Sequence, residues 1–253
     1  MNGHGKTALL GALGGATIAL VIVFGASAIG LFPNREITEQ RIHDYLLSNP
    51  ELVQQMADAA TSKQQAADDA ASQAAIDKIG LAAYFDPKVA FVTGPADAKR
   101  TIVEFFDYNC PYCRASLPAM KSYYAKHKDD TRFSFIEFPI KGEDSVVATR
   151  ALLAARRQPG KYLAFHFALM NNGDAEVDKD VIRETATKLG LDVAKLQADM
   201  NDPMIEHQLA ASLLLAKRSK IAATPTFIFN GRVRPGAVDS ELLAELTKPG
   251  KGT

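Results

Sequence analysis

Two cysteines separated by a proline and a tyrosine are the residues of this chain best suited to chemistry. Cys110, Pro111, Tyr112 and Cys113 lie between a strand-like run and a helix-like run, and the chain of 253 residues has no other cysteine. At positions i and i+3 of a first helical turn, two sulfurs share one face and can form a disulfide with little backbone movement. The spacing therefore predicts a pair of thiols that is oxidised and reduced reversibly.

The start of a helix also favours the thiolate, which is the reactive form of cysteine. First-turn amides have no partner within the helix, and the helix dipole adds partial positive charge there. We expect Cys110 at the cap and Pro111 at the first helical position, where the missing proline donor is not needed. Such sites lower a cysteine pKa from about 8.5 to roughly 3.5–7.5. Cys110 is then the exposed nucleophile, and Cys113 is the resolving thiol that attacks the mixed disulfide.

Two other interpretations of the cysteines are half of a zinc site and a pair of unrelated buried side chains. A structural zinc needs four ligands at paired spacings. The five histidines are instead scattered singly, at His4, His43, His127, His166 and His207. We therefore expect no metal, and we assign no role to His166 or His207, which both lie on predicted helices.

A glutamate precedes the dithiol by six residues. Glu104 lies on a predicted strand, Thr101 to Phe106, whose other central members are apolar on both faces. A carboxyl group inside such a strand is costly unless it is paired or has a function. From there Glu104 can reach the underside of the dithiol and, with a pKa raised by desolvation, relay the proton of Cys113. The alternative is a glutamate at the strand end that faces solvent.

Thr224 and Pro225 precede a second apolar strand, Thr226 to Phe229. A proline at a strand entry that approaches an active site is a candidate for a cis peptide bond. An extended substrate backbone would pair beside these two residues in a short β-type contact. We assign Pro111 and Tyr112, next to the reactive sulfur, to the same substrate-binding surface.

The combination of these motifs resembles the DsbA/ScsC-like group of bacterial periplasmic thiol–disulfide oxidoreductases in the thioredoxin superfamily. The motifs are Val103 to Tyr108, Cys110 to Cys113, Phe138 to Ile140 and Ala223 to Phe227, within roughly Asp86 to Lys248. The resemblance implies an α/β thioredoxin fold with a helical insert. It also implies that Pro225 is the cis proline beside the dithiol and that Glu104 is the buried acid.

Two positions depart from the strongest oxidases of that family, which carry His before the second cysteine and Val before the cis proline. This chain has Tyr112 and Thr224 there, closer to isomerase-like and ScsC-like members. The direction of electron flow therefore stays open between an oxidase and an isomerase or reductase that is kept reduced. The resemblance implies a membrane partner that resets the pair, either a DsbB-type oxidase or a DsbD- or ScsB-type reductase.

Residues 1–35 predict a signal anchor or signal peptide. No charged residue lies from Thr7 to Phe32, while Lys6 precedes the run. At about 1.5 Å per residue, this run can span a bilayer. We favour an uncleaved anchor over a signal peptide cut after a small-residue site at 26–28. Either way, the cysteine domain is expected in the bacterial periplasm or cell envelope, and residues 7–32 would tether it to the inner membrane.

Residues 36–85 predict a helical stalk. A short helix ends near Pro50, and an alanine-rich helix follows. Every seventh residue is apolar, at Leu46, Val53, Ala60, Ala67, Ala74 and Leu81, but the companion positions include Lys63 and Asp77. One continuous apolar stripe, without a second one beside it, favours a loose association of helices and hence a homo-oligomer. The resemblance adds weight to self-association, and the alternative is a solvated spacer.

Residues 86–248 are expected to form the catalytic domain, followed by a flexible tail at 249–253. Its predicted elements are a short first strand at Val89 to Thr93, the central strand, a strand at Arg132 to Phe138, a helical insert at about 144–220, a hairpin at Thr226 to Val233 and a closing helix after Asp239. The Asn230-Gly231 pair is the strongest turn signal.

Composition excludes few functions, but the 29 basic and 29 acidic residues cancel, so nothing indicates nucleic-acid binding. We predict a thiol–disulfide oxidoreductase that acts on cysteines of exported client proteins and needs no cofactor. One rival class is a Cu(I)-binding or chaperone module. Another is a membrane-tethered binding head with vestigial chemistry, which is weaker because Cys110, Cys113, Glu104 and Pro225 fit one site.

Overall fold

The computed structural model describes residues 35–173 and 175–248. The chain divides into two units, Met1–Gln64 and Gln65–Thr253. The predicted membrane segment at 7–32 and the predicted tail at 249–253 lie outside the described residues. Among the helices of the described ranges, none combines the length and the apolar character needed to cross a membrane.

Two helices begin the described part of the chain, α1 (Arg35–Ser48) and α2 (Glu51–Ile79). They are separated at Asn49 and Pro50, because a proline inside a helix removes a hydrogen bond and clashes with the preceding turn. In the described part of the first unit, five large apolar side chains are exposed, namely Ile42, Tyr45, Leu47, Val53 and Met56.

The unit boundary falls inside α2, well before the predicted end of the stalk at residue 85. The C-terminal half of α2 packs within the second unit, where Ile76 is buried. The Ser72 hydroxyl donates to the carbonyl oxygen of Lys220 at 3.0 Å, and the Gln73 amide donates to that of Gly231 at 2.8 Å. Residues from Gln65 onward therefore belong structurally to the second unit.

A mixed five-stranded sheet forms the centre of the second unit. Its strands are β1 (Phe91–Thr93), β2 (Arg100–Phe106), β3 (Thr131–Glu137), β4 (Thr226–Phe229) and β5 (Arg232–Pro235), in the order β1-β3-β2-β4-β5. β2 and β3 are parallel, and every other neighbouring pair is antiparallel. β2 is central and apolar on both faces because helices and turns cover both sides of the sheet.

Within the described residues, a 3₁₀ helix at Leu81–Phe85 contacts this sheet, and seven α-helices follow it along the chain. They are α3 (Pro111–His127), α4 (Glu143–Ala155), α5 (Tyr162–Met170), α6 (Lys179–Lys188), α7 (Val193–Asp199), α8 (Pro203–Arg218) and α9 (Ser240–Leu246). Aspartates accept first-turn amides at four of their starts, namely Asp178, Asp192, Asp202 and Asp239. Helices α4 to α8 form the insert that was predicted at about 144–220.

Successive residues of β2 point to opposite sides of the sheet and enter different hydrophobic clusters. Phe105 packs with Tyr84 and Ile136 on one side. Phe106 packs on the other side, in the cluster that contains both cysteines. Glu104 has the same parity as Phe106, so its carboxyl group points to the side of the dithiol.

Several strand boundaries differ from the sequence prediction. β2 begins one residue earlier, at Arg100, and β3 runs from Thr131 to Glu137 instead of from Arg132 to Phe138. The first strand begins at Phe91 instead of Val89, because the amides of Val89 and Ala90 both donate to the Asp86 carbonyl and form a turn. The last strand extends to Pro235, where it pairs with Thr226.

Candidate active site

The dithiol is held by the junction between the central strand and α3. β2 ends at Phe106, a three-residue loop follows, and Cys110 caps α3 with extended dihedral angles of φ −88° and ψ 116°. Pro111 is the first helical residue, where proline is well tolerated. Cys113 lies one turn into the helix, and both cysteines are free thiols.

Both sulfurs are buried, which corrects the expectation that Cys110 is exposed. Cys110 is 0% and Cys113 1% exposed. The reason is long-range: the Cys110 sulfur lies 3.0 Å from the backbone carbonyl oxygen of Thr224, to which it donates only when protonated, and this segment covers the sulfur. Tyr112 is 65% exposed, so the accessible surface beside the dithiol is formed by Tyr112 and the exposed Pro111.

The two thiols have opposite electrostatic environments. A hydrogen bond from Cys113 is the largest of the effects that lower the pKa of Cys110 to about 5, and the Thr224 side chain and the Cys113 and Tyr112 amides add to it. Burial raises the pKa of Cys113, and the charges of Glu104 and Cys110 raise it further. At neutral pH, Cys110 is therefore a thiolate and Cys113 a thiol. This asymmetry suits the nucleophilic and resolving roles, which stay predictions.

Thr224 and Pro225 lie directly beside the dithiol. The peptide bond between them is cis, the geometry that the family resemblance implies. Both residues are buried. The Thr224 hydroxyl lies next to Cys110, yet it makes no hydrogen bond of ordinary length within the described residues.

Glu104 is buried beneath the dithiol, at 4% exposure, and not at a solvent-facing strand end. Its position in the register, opposite Phe135 on β3 and Phe227 on β4, places it in the middle of the sheet. Burial raises the pKa of its carboxyl group to about 8. Its charge in turn raises the pKa of Cys113, so the two groups are electrostatically coupled. The role of Glu104 as a proton relay stays a prediction.

Sequence reasoning missed Asp107, a buried carboxylate that organises the loop before the dithiol. Its oxygens accept hydrogen bonds from the amides of Asn109 at 2.7 Å, Ile140 at 2.7 Å and Lys141 at 2.8 Å. The Ser145 hydroxyl donates to it at 2.7 Å. The bond to Asn109, two residues away, is an Asx turn that the sequence could have indicated. The bonds to the segment after β3 could not be predicted from local pattern.

Arg114 fixes the same loop from the other side. Its guanidinium donates to the carbonyl oxygens of Tyr108 and Gly173 and to the side-chain oxygen of Asn109, each at 2.9 Å. That oxygen of Asn109 also accepts from the amide of Val177 at 2.7 Å. The segment after α5 is thereby tied to the start of α3.

His166 was assigned no role, but the structure places it close to the site. Its Nδ1 lies 2.9 Å from the hydroxyl oxygen of Tyr108, and both side chains are buried. Burial lowers the pKa of His166 to about 3, so the imidazole is neutral at physiological pH. A single histidine on a helix gives no sequence signal for such a contact. His207 is exposed on α8.

Comparison with known proteins shows which family shares this fold. Residues 101–248 match the family described as the DSBA-like thioredoxin domain. A thioredoxin-like oxidoreductase from Silicibacter pomeroyi DSS-3 is 37% identical, with a TM-score of 0.60, and the match covers 66% of this chain and 95% of that one. The mixed sheet with its helical insert confirms the predicted fold class.

Two further solved structures are similar over larger shares of the chain. The thiol-disulfide exchange protein alpha-DsbA2 from Wolbachia pipientis is 25% identical, with a TM-score of 0.63, over 71% of this chain and 95% of that one. ScsC from Proteus mirabilis, in a transitional conformation, is 27% identical with a TM-score of 0.60. That match covers 87% of this chain and 97% of the ScsC chain.

The curated relatives are much longer proteins. A stretch of 171 residues is 30% identical to the Na(+)/H(+) antiporter NhaA of Herminiimonas arsenicoxydans, covering 66% of this chain and 27% of the antiporter. This chain thus spans about a quarter of the length of the curated relatives it matches. Since the family match extends over residues 101–248 and includes the dithiol, Thr224 and Pro225, the chain belongs to the DsbA-like thioredoxin domain family.

Proposed function

We propose that this protein is a thiol–disulfide oxidoreductase that exchanges disulfides with cysteines of exported proteins through Cys110 and Cys113. The observation that carries the proposal is the opposed chemistry of the two thiols. The pKa of Cys110 is lowered to about 5, and that of Cys113 is raised. Family membership supports oxidoreductase activity in general.

The exchange begins with the oxidised pair. A client thiolate attacks the Cys110 sulfur, the Cys110–Cys113 bond breaks, and Cys113 leaves as a thiolate that takes a proton from Glu104. A second client thiolate then attacks the client sulfur of the mixed disulfide, and Cys110 leaves as a thiolate. Two electrons pass from the client to the pair, one client disulfide forms, and no cofactor takes part.

The electrostatics favour disulfide donation as the direction. Whatever stabilises the Cys110 thiolate stabilises the reduced pair, and a disulfide with a stable reduced form is a stronger oxidant. The second candidate, an isomerase or reductase kept reduced by a membrane partner, is favoured by Tyr112 and Thr224. Cysteines trapped in their cellular redox state, together with a glutathione equilibrium of the purified protein, distinguish the two. A pair found oxidised supports donation, and a pair found reduced supports the alternative.

We assign client binding to the surface beside the Cys110 sulfur. Pro111 and the 65% exposed Tyr112 would contact the client, and its extended backbone would pair next to Thr224 and Pro225. A Cys113→Ala variant leaves Cys110 unable to be resolved, so clients and the membrane redox partner should accumulate as mixed disulfides. Mass spectrometry of these adducts identifies both, and a Cys110→Ala variant is the matched control.

The activity itself is tested with reduced, unfolded ribonuclease and the oxidised protein in stoichiometric amount. We expect disulfides to form in ribonuclease while Cys110 and Cys113 become reduced. The Cys110→Ala variant should be inactive. If the wild-type protein leaves ribonuclease reduced and also fails to regain activity from scrambled ribonuclease, the proposed function is wrong.

We further propose self-association through the first unit. Ile42 and Tyr45 on α1, and Val53 and Met56 on α2, are each more than half exposed, and each pair is spaced as neighbours on one face of its helix. A homo-oligomer would cover these side chains. Light scattering should show a larger mass for the wild-type chain than for a Val53→Glu, Met56→Glu variant. Equal monomer masses would favour a spacer.

Location in the bacterial envelope is also a proposal. It is supported by the uncharged run at 7–32 and by the persistence of disulfide chemistry in oxidising compartments. A phosphatase fused after residue 248 should be active if the domain is exported. Membrane fractionation then separates a tethered protein from one whose leader is cleaved.

A further inference from the structure

An open groove lies in the helical insert, between α4, α6 and the segment that contains α7. Its volume is about 420 Å³, which is within the range of pockets that bind organic groups. Five apolar residues line it, two of them buried and three half-buried. They are Ile182 and Leu196, which are buried, and Val147, Val193 and Met200. This insert groove therefore leaves apolar side chains partly open to solvent inside a concave surface.

Polar residues form the rim of the insert groove, and two of them are cations. The Arg183 guanidinium pairs with the Asp180 carboxylate at 2.8 Å. The exposed Lys179 has no carboxylate at ion-pair distance among the described residues. An apolar lining beside one unpaired cation suits an apolar segment that carries an acidic residue.

The insert groove lies close to the dithiol, because its α6 side is tied to the loop before Cys110. The amide of Val177 donates to the side-chain oxygen of Asn109 at 2.7 Å, and Lys179 follows two residues later. Since consecutive Cα atoms are about 3.8 Å apart, the Cα atom of Lys179 lies within about 20 Å of that of Cys110. An extended client chain covers this distance in about six residues.

The α4 side of the insert groove is tied to the same loop. The Ser145 hydroxyl donates to the Asp107 carboxylate at 2.7 Å, and both residues are buried. Val147, which lines the groove, follows two residues later in α4. Two sides of the groove thus keep a fixed position relative to the dithiol, so a client joined to Cys110 can reach the groove.

We propose that the insert groove binds an apolar client segment, with an acidic residue beside Lys179, about six residues from the client cysteine that reacts with Cys110. This inference rests on the proposed exchange reaction and names the class of its substrates. Clients of such a reaction are not yet folded, and an unfolded chain exposes apolar side chains that its core later buries. Binding of this segment raises the local concentration of the client thiol at Cys110.

The test measures the stability of mixed disulfides between synthetic peptides and the full-length Cys113→Ala variant. Each peptide has one cysteine, a spacer of glycine and serine, and a short run of leucine and phenylalanine next to an aspartate, in both chain orders. The peptide thiolate attacks the disulfide between Cys110 and glutathione, a new disulfide forms, and glutathione leaves as a thiolate. With a spacer of about six residues, one chain order should give an equilibrium constant about tenfold above that of a peptide with serines in place of the apolar run.

Matched variants in the same background separate the insert groove from other apolar surface. Val193→Ser, Met200→Ser removes part of the apolar lining and should reduce the gain to less than about twofold. Leu213→Ser, Leu214→Ser removes exposed apolar side chains from α8, outside the groove, and should keep the full gain. If the groove variant does not fold, as judged by near-ultraviolet circular dichroism, Met200→Ser alone should still lower the gain.

The charge at the rim is tested separately. A peptide with aspartate beside the apolar run should bind about two- to threefold more tightly than one with asparagine at low salt. Lys179→Gln should remove this preference and leave the gain from the apolar run unchanged. An aspartate preference that persists in Lys179→Gln would contradict the assignment of the acidic residue to Lys179.

A gain that persists in the folded groove variant would overturn the inference, and so would an equal gain with a spacer of a single residue. If no peptide gains and light scattering shows a lower mass for the groove variant than for the wild type, a second copy fills the groove and the inference is wrong. The exchange with glutathione needs only the Cys110 thiol, so its outcome is separate from ribonuclease oxidation. A wild-type protein that oxidises ribonuclease, while no peptide gains from its apolar run, would refute the client groove alone.

Discussion

Two buried glutamates on neighbouring parallel strands differ in the partners of their carboxyl groups. Glu137 on β3 is 0% exposed, and its carboxyl group interacts with the charge of Arg156. Its Oε1 accepts a hydrogen bond from Tyr162 at 2.8 Å, while its Oε2 has no partner among the described residues. Glu104 on β2 is 4% exposed and has no donor among the described residues. Burial raises the pKa of both, but only Glu137 has groups that offset the effect.

This difference separates a glutamate that stabilises the packing from one that can take part in proton transfer. A buried carboxylate with a donor and a cation is stabilised in place, and its loss leaves its partners unsatisfied. A buried carboxyl without either is destabilising once it ionises, yet it exchanges a proton near neutral pH. Glu104 is of the second kind and interacts electrostatically with Cys113, so the comparison assigns the proton chemistry to Glu104 and the packing role to Glu137.

The largest expected effect is on stability at alkaline pH. In the folded protein Glu104 has a pKa of about 8 instead of the usual 4.5, so the folded state binds more protons than the unfolded state between these values. The stability of the wild type relative to Glu104→Gln should therefore fall as pH rises through this window, since the lowered pKa of Cys110 acts in both proteins. Glu104→Gln removes the penalty, which is about 5 kcal/mol at pH 9.

Urea unfolding of the reduced protein at pH 4 and pH 9 measures this effect. The variant and the wild type should have similar stability at pH 4, and the variant should be the more stable one at pH 9. If the stability of the wild type relative to Glu104→Gln does not fall between pH 4 and pH 9, then Glu104 ionises without a cost in stability.

The second effect is on the resolution step. Glu104→Gln cannot take the proton of Cys113, so attack of Cys113 on a mixed disulfide should slow by about 100-fold, the lower end for loss of a general base. Stopped-flow measurement with a preformed mixed disulfide on Cys110 gives the rate. The thiolate absorbance titration of Cys110 should change little, and a comparable change in both readings would contradict the relay.

The third prediction applies the first measurement to the other glutamate. Glu137→Gln should also gain stability relative to the wild type between pH 4 and pH 9, because burial raises the pKa of Glu137 as well. The gain should be smaller than for Glu104→Gln, since Arg156 and Tyr162 offset part of the effect of burial. Its resolution rate should stay within a few-fold of wild type. A gain as large as that of Glu104→Gln would remove the distinction between the two acids.

The sequence predicted those features of the site that depend on near neighbours in the chain. The dithiol spacing, the helix start at Pro111 and the burial of Glu104 among apolar strand residues are of this kind. Periodicity shows which face a residue occupies but not what covers that face. The Thr224 carbonyl that buries Cys110 lies 114 positions along the chain, and His166 lies 58 positions from Tyr108.

The same limit explains the boundary inside α2. An apolar residue at every seventh position predicts a face that some other surface covers. It does not distinguish a second copy of the chain from the chain's own domain. In the second unit, Ser72 and Ile76 are buried by that unit itself, while Val53 in the first unit is exposed.

The smallest expected effect tests whether the pKa values of Cys110 and Glu104 are set independently of each other. The Thr224 side chain contributes to lowering the pKa of Cys110 but ranks below the hydrogen bond from Cys113. Thr224→Val keeps the shape and removes the hydroxyl, so the Cys110 pKa should rise by less than about one unit. The disulfide should become a slightly weaker oxidant, because the thiolate loses part of its stabilisation.

Thiolate absorbance at 240 nm and a glutathione equilibrium measure the two changes. The Glu104 midpoint, followed by the carbon-13 resonance of its carboxyl group, should not move in Thr224→Val, since no contact joins the hydroxyl to that carboxyl. If the Glu104 midpoint falls together with the rise at Cys110, the two groups titrate as one unit. The contrast between Glu104 and Glu137 would then reflect coupling to the dithiol, and not the absence of a donor.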